Sequence, residues 1–273
     1  QTQYFLGFIY YQGEYVKKDI NKSIHYFTLS ADQNYLESQY FLGIIYFEGR
    51  FIPRNINKSI HYLTLSADQN FIDSQYMLGL IYYKGKYINQ DLDKSIYYFS
   101  LAADQNHSKS QYYLGFLYFE GKNVKQNIKK SIHYLTLAAN QNHKEALFLL
   151  AFINYDGKYV KRNITAAIYN LTHSANLNFS EAQYFLGFIY YNGKYIERDI
   201  NKSIRFLTFS SNNNHPLGQY LLAIIYFDGK YIQKDIEKSI YYLTLSANND
   251  YSEAQYYLGM IYYKGKYIQK DIK

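Results

Sequence analysis

Histidines, lysines, acids and aromatic rings recur in this chain at fixed intervals, and the intervals limit the chemistry open to them. His25, His61 and His133 share one place in the pattern, and His107, His143 and His215 share another, while His173 stands alone. Equivalent positions on packed helices lie about 8–10 Å apart. A zinc ion holds each nitrogen at about 2.0–2.1 Å, so such a column cannot converge on a metal. Cysteine is absent, which removes disulfides and thiolate chemistry. Acids and hydroxyls repeat uniformly, whereas an active site needs one unrepeated cluster of complementary groups. The glycines are spaced as helix punctuation and not as a phosphate-binding loop. The expectation is a chain with no catalytic residues, no metal, no cofactor and no small-molecule substrate.

Binding is a better use of what repeats. Positions 40, 44 and 47 follow the i, i+4, i+7 spacing of one helical face, and their columns are strongly aromatic. They supply Tyr40, Ile44, Phe47, Tyr76, Leu80, Tyr83, Tyr112, Phe116, Phe119, Phe148, Phe152, Tyr155, Tyr184, Phe188 and Tyr191. Such rings offer large rigid contact areas, and the tyrosines add a polar handle. They are the expected partner-binding residues, for an extended peptide or a partner helix. The competing expectation is that neighbouring helices bury the stripe; both hold together if one edge of each ring is packed and the other open.

A second ladder is basic. Arg50, Lys86, Lys122, Lys158, Lys194, Lys230 and Lys266 follow the turn glycines, and Lys22, Lys58, Lys94, Lys130, Lys202 and Lys238 come early in the next helix. A solvated face is the favoured explanation. Nucleic-acid binding would need phosphate contacts from such a row together with stacking rings. The net charge of +7 is modest, and Glu37, Asp73, Glu145, Glu181 and Glu253 place acid beside the aromatic stripe. RNA is therefore the less favoured partner.

The elements that position these residues follow from the period. Leu-Gly pairs end at Gly7, Gly43, Gly79, Gly115, Gly187 and Gly259, with Ala151 and Ala223 in the two remaining places. Six residues later another glycine always follows, from Gly13 and Gly49 to Gly265, a step of 36 residues with no insertion. Each unit reads as two helices. Helix A runs over about 37–48 and stops at Gly49; helix B runs over about 56–68, with equivalents in every repeat. Asp19, Asn55, Asp91, Asn127, Asn163, Asp199 and Asp235 are placed to cap helix B. Asn34, Asn70, Asn106, Asn142, Asn178 and Asn214 are placed to end it in the left-handed conformation. Ser180-x-x-Gln183 and Ser252-x-x-Gln255 fit a capping box for helix A. Gly43, Ser59, Ser66 and Ala67 keep the helix pair close, with Leu42, Tyr46, Ile60 and Leu63 as the recurring core. A 36-residue brick is too small to stand alone, so stacked copies must bury one another.

These residues carry a recognisable motif: small-Gln-x-x-Leu-Gly-x-x-Tyr-x-x-Gly, then Asp/Asn-x-x-Lys-small, then a small pair. Here it reads "SQYFLGIIYFEG", "NINKS" and "SA". It resembles the Sel1-like repeat (SLR), a relative of the tetratricopeptide repeat, over the whole chain. Departures are Leu147 for the Gln, Ala151 and Ala223 for the Gly, and Asn where a helix-ending Gly is common. The resemblance implies an all-α fold, a right-handed α-α superhelical solenoid whose A helices line the concave side. It implies a protein–protein scaffold or adaptor whose partner, a protein or peptide, lies in that aromatic groove. A structural spacer within a larger assembly is the alternative.

Residues 1–273 are expected to form one solenoid of about seven and a half repeats, taken from a longer protein, because the sequence opens inside a helix A and stops in the first turn of a helix B. No membrane insertion is expected, since no apolar run reaches about 18 residues, and no signal peptide is visible; the reading leans to the cytoplasm. One repeat differs: Asn154 and Asn170 replace two tyrosines, Thr165, Ala166 and Ala167 replace "NKS", and His173 replaces a leucine. The expectation there is a softer joint, with the two amides facing each other or sharing a water.

Overall fold

The computed structural model describes residues 1–264, with side chains to 263. Fifteen α-helices and no strand occur among the described residues. The A helices are α1 (Thr2–Gln12), α3 (Leu36–Glu48), α5 (Ile72–Lys84), α7 (Ser108–Glu120), α9 (Lys144–Asp156), α11 (Ser180–Asn192), α13 (Pro216–Asp228) and α15 (Ser252–Lys264). The B helices are α2 (Ile20–Ala31), α4 (Ile56–Ala67), α6 (Leu92–Asp104), α8 (Ile128–Ala139), α10 (Ile164–Asn176), α12 (Ile200–Asn212) and α14 (Ile236–Asn248). The chain divides into two compact units, Gln1–Ala138 and Ala139–Lys273.

Punctuation explains why the elements start and stop where they do. Asp19, Asn55, Asp91, Asn127, Asn163, Asp199 and Asp235 each accept the backbone N–H three residues on, at 2.9–3.0 Å, which satisfies a donor the helix start leaves free. The A helices end on left-handed glycines, for example Gly49 at φ 63°. After each B helix the chain turns through a left-handed Asn, Asn70 at φ 64° among them, and Asp250 takes the same conformation.

The expected capping boxes are absent. Ser180 is the first residue inside α11, and its Oγ donates to Glu181 at 2.9 Å. Ser252 does the same to Glu253 at 2.9 Å. Gln183 and Gln255 reach back instead to the carbonyls of Ala175 and Ala247, at 3.1 Å each. The spacing was right for a box but the helix begins one residue too early for it.

In both units the core runs within each brick and on into the next. Leu63 of α4 packs with Leu78 and Ile81 of α5, and Phe99 of α6 with Leu114 and Leu117 of α7. In the second unit Leu171 meets Leu186 and Ile189, and Leu207 meets Leu222 and Ile225. Leu63, Leu78, Leu114 and Leu171 are fully buried. Each brick is thus completed by its neighbour, as its size requires.

Within each brick the small residues are tightly used. A Cβ on Gly79 would meet the Phe99 ring at 2.5 Å, so the A and B helices approach as far as backbone allows. The serine facing it adds a bond: Ser59, Ser95 and Ser131 donate to the carbonyls of Gly43, Gly79 and Gly115, at 2.8, 3.0 and 2.7 Å.

A buried amide ladder ties consecutive bricks. Gln75 Nε2 donates to the Ala67 carbonyl of the preceding B helix at 3.2 Å, and its Oε1 accepts from Gln105 Nε2 at 2.8 Å. The same link joins Gln39 to Gln69, Gln183 to Asn213 and Gln219 to Asn249.

Candidate functional site

The expected binding stripe lies on the A helices, and all fifteen of its residues are at least partly exposed. Phe152 is the most open, at 37 %. Many of its rings spend one side on the next repeat. In the first unit Tyr40 meets Phe71 at 5.3 Å, Tyr76 meets His107 at 4.8 Å and Tyr83 meets Tyr113 at 5.5 Å. In the second, Phe148 meets Phe179 at 5.5 Å, Tyr155 meets Phe185 at 5.1 Å and Tyr184 meets His215 at 5.1 Å. Phe116 and Phe188 lie beside Tyr112 and Tyr184 on their own helices. Ile44, Leu80, Phe119 and Tyr191 are half-buried in the same stripe. Packing and exposure therefore coexist along the face.

Burial governs the phenols. It raises the pKa of Tyr40, Tyr83, Tyr155, Tyr184 and Tyr191. Tyr76 is pushed up to about 12, first by burial and then by Tyr113. These hydroxyls stay neutral near pH 7, so they serve as hydrogen-bonding groups and not as bases or nucleophiles.

A column that the spacing argument passed over belongs to the same face. Phe41, Tyr113 and Phe185 lie one residue after the tyrosine column and pack on the preceding repeat's Tyr11, Tyr83 and Tyr155. In the third repeat this place holds Met77. The signal was available as a partly aromatic column beside the one chosen, with Leu149 and Leu221 in the fifth and seventh repeats.

The basic ladders are largely engaged with the chain itself. Lys22, Lys58, Lys94, Lys130, Lys202 and Lys238 each lie 5.1–5.3 Å from the ring centre of a tyrosine on the A helix of their own brick. Lys94, Lys202 and Lys238 also pair with their helix caps Asp91, Asp199 and Asp235, at 3.4, 3.2 and 3.0 Å. Arg50 pairs with Glu48 at 3.5 Å and Lys122 with Glu120 at 3.9 Å. Lys158, Lys194 and Lys230 lean on the tyrosine that follows each of them; Lys266 lies outside the described residues. A further basic place, not singled out by spacing, closes the A helices: Arg54, Arg162 and Arg198 donate to the last carbonyls, such as Phe47 O at 2.7 Å.

The loop histidines have a structural task. His107 and His215 are the N-caps of α7 and α13, and Nδ1 of each accepts a backbone N–H at 3.3 Å. His25, His61 and His133 are exposed, each against the tyrosine that follows it. Among the described residues no three metal-ligating side chains cluster, and no helix is long and apolar enough to cross a membrane.

In the divergent repeat the two amides do not meet. Asn154 Nδ2 donates to the Leu150 carbonyl of its own helix at 2.8 Å. Elsewhere these two places hold stacked rings, such as Tyr46 on Tyr62 at 6.1 Å, with Lys58 above. Here the lysine is Ala166, so the ring pair and its cation are lost together. Leu147 and Leu177 likewise replace both members of the amide link.

The model of the Sel1 repeat family matches eight times, over residues 1–35, 36–71, 72–107, 108–143, 144–179, 180–215, 216–251 and 252–273. Among solved structures the chain is similar to a protective antigen of uropathogenic Escherichia coli displaying an SLR fold. Identity is 27 %, the TM-score is 0.88, and the match covers 98 % of this chain and 58 % of that one. It is also similar to a Sel1 repeat protein from Oxalobacter formigenes, with 26 % identity, a TM-score of 0.83, and 95 % and 75 % of the two chains covered. The chain thus spans less than two thirds of the Escherichia coli protein. No curated protein matches it.

Proposed function

This chain belongs to the Sel1 repeat family, and we propose that it is a non-catalytic scaffold holding a partner polypeptide along the aromatic face of its A helices. Sel1 repeat proteins are generally protein–protein interaction scaffolds, and their solenoid is typically non-catalytic. What supports the finer reading is the state of the stripe: ring after ring is anchored on one side by the next repeat and open on the other. Rings fixed in this way lose little freedom when a partner covers them, which favours affinity. The lysine ladders support it from the opposite direction, because their own tyrosines and caps already engage them.

The test is partner capture by the full-length protein, comparing the unaltered chain with Tyr76→Ser, Phe116→Ser and Phe119→Ser combined. Folding of the variant is checked by circular dichroism. The expected result is loss of the captured protein. Unchanged capture by a folded variant would leave a structural spacer as the better description.

A further inference from the structure

On the A-helix face of the first unit, Phe47, Met77, Leu80, Ile81 and Tyr87 wall a pocket of about 380 Å³, and Lys84 and Lys86 also line it. One departure from the flanking repeats opens it. At the Met77 place the flanking repeats carry Phe41 and Tyr113, whose rings lie 5.8 Å from Tyr11 and 5.5 Å from Tyr83. Met77 brings no ring to Phe47, which keeps the contact with Tyr87, at 5.9 Å, that Tyr155 and Tyr191 make with Tyr195 and Tyr231. At the Leu80 place the flanking repeats carry Ile44 and Phe116. The volume of the ring missing at Met77 is the opening.

Charge is the second departure. At the Lys84 place the flanking repeats carry Glu48 and Glu120, each committed to its own cation, Arg50 or Lys122. Lys84 reverses that sign two residues before Lys86, whose ammonium lies 5.3 Å from the Tyr87 ring. Among the described residues neither lysine makes an ion pair. The Lys-Gly-Lys run recurs at 264–266, outside the described side chains.

We propose that this pocket is a side-chain subsite that takes an apolar residue of a partner polypeptide, while acidic residues beside that residue meet Lys84 and Lys86. The proposal rests on the A-helix face being the binding surface, and it gives that surface a preference for acidic-apolar segments. The apolar wall supplies the contact area, with Met77 able to adapt its shape to the guest. The two ammonium groups, neither of them in an ion pair, select the sign of the flanking residues.

Fluorescence anisotropy on the full chain tests it. The probe is a labelled Gly-Ser-flanked Asp-Glu-Leu-Phe-Glu peptide; controls are its Asn-Gln-Leu-Phe-Gln and Asp-Glu-Ser-Ser-Glu counterparts. Met77→Phe restores the ring of the neighbouring repeats and Lys84→Glu restores their acid, so both borrow residues that the column already accommodates. Each variant, and each control peptide, is expected to bind about tenfold more weakly, as removal of a buried side-chain contact, of two exposed ion pairs, or of one such pair with a repelling carboxylate in its place implies. Affinity unchanged in folded Met77→Phe and Lys84→Glu, or no binding of the probe at millimolar concentration, overturns the subsite. An oligouridylate bound more tightly than the peptide and released by Lys84→Glu would overturn it in favour of phosphate. Self-association abolished by Met77→Phe would overturn it in favour of a second copy. The triple serine variant separates the two layers. If it loses its partner while Met77→Phe and Lys84→Glu keep theirs, the face stands and the subsite fails; if it too keeps its partner, the face itself fails.

Discussion

Gln75 and Gln105 form a link whose two ends differ in burial, and the difference makes an asymmetric prediction. Gln75 is fully buried, while Gln105 is exposed. Replacing Gln75 by Leu frees the Gln105 amide to water and leaves the Ala67 carbonyl its backbone bond from Asn70 at 2.9 Å. Nothing polar is stranded, so the cost is near that of an ordinary hydrogen bond, about 0.5–1.5 kcal/mol, partly offset by the apolar side chain. Replacing Gln105 by Leu keeps Gln75 in place and takes away the donor to its buried Oε1. That oxygen is then unsatisfied, at about 1–3 kcal/mol. The exposed residue is therefore the costlier one to change, against the usual ranking by burial.

The double variant removes both partners and strands nothing. It is expected to be more stable than Gln105→Leu alone, with a coupling of about 1 kcal/mol or more in the double-mutant cycle. Local opening free energies from hydrogen exchange by mass spectrometry, read over α5 and α6, are the suitable assay, because a repeat array need not unfold in one step. The reasoning is refuted if Gln105→Leu costs no more than Gln75→Leu, or if the two effects simply add.

Two other outcomes follow from the same geometry. His107 and His215 cap their helices through a neutral Nδ1, and burial, the largest influence, lowers the pKa of both. A folded-state pKa below the unfolded value means that the capping stability is complete above the ordinary histidine range and is lost as pH falls below it. Melting temperature should therefore drop between pH 7.5 and 5.5, and drop less in His107→Asn/His215→Asn, whose amides cap without titrating; an identical pH dependence would contradict this. In the divergent repeat, loss of a stacked ring pair worth about 0.5–1.5 kcal/mol and of its overlying cation should make amides of α9 and α10 exchange about tenfold faster than those of α5 and α6. Equal protection would contradict the softer joint.

The period, the helix limits and the caps were legible because each is a local rule repeated many times. Asp or Asn before helix B, Gly after helix A and Asn after helix B act within a few residues, and no tertiary context overrides them here. Predicted limits of 37–48 and 56–68 met observed limits of 36–48 and 56–67. The capping boxes failed because the helix begins at the serine itself and the Gln side chain bonds to the preceding helix instead. The aromatic face was legible as a face, but its packing was not. Spacing along one helix says which side a ring occupies; whether Tyr83 meets a ring or a methionine depends on the helix after it. The pocket was missed for that reason, since it needs Met77, Lys84 and Tyr87 to be read against Phe47 of the previous brick.

Departures from the repeat sort themselves by whether they come in sets. Leu147 and Leu177 change together, and so do Asn154, Ala166 and Asn170, because the members of each set touch when the bricks are built as the others are. Removing all members of a buried contact leaves no orphaned group, whereas removing one does. Matched changes thus maintain the stack at an altered joint, and packing accounts for their pattern. Lys84 is of another kind. Its counterpart in the ion pair, Lys86, keeps the sign it has in the other repeats, so the change leaves two like charges where Glu48 and Glu120 would have given neutral pairs. Met77 is similarly unmatched, for Phe47 keeps its ring beside the space that opened. Neither change is compensated inside the chain. An uncompensated opening and an uncompensated charge at one place are why the subsite is proposed there and not at the more altered fifth repeat.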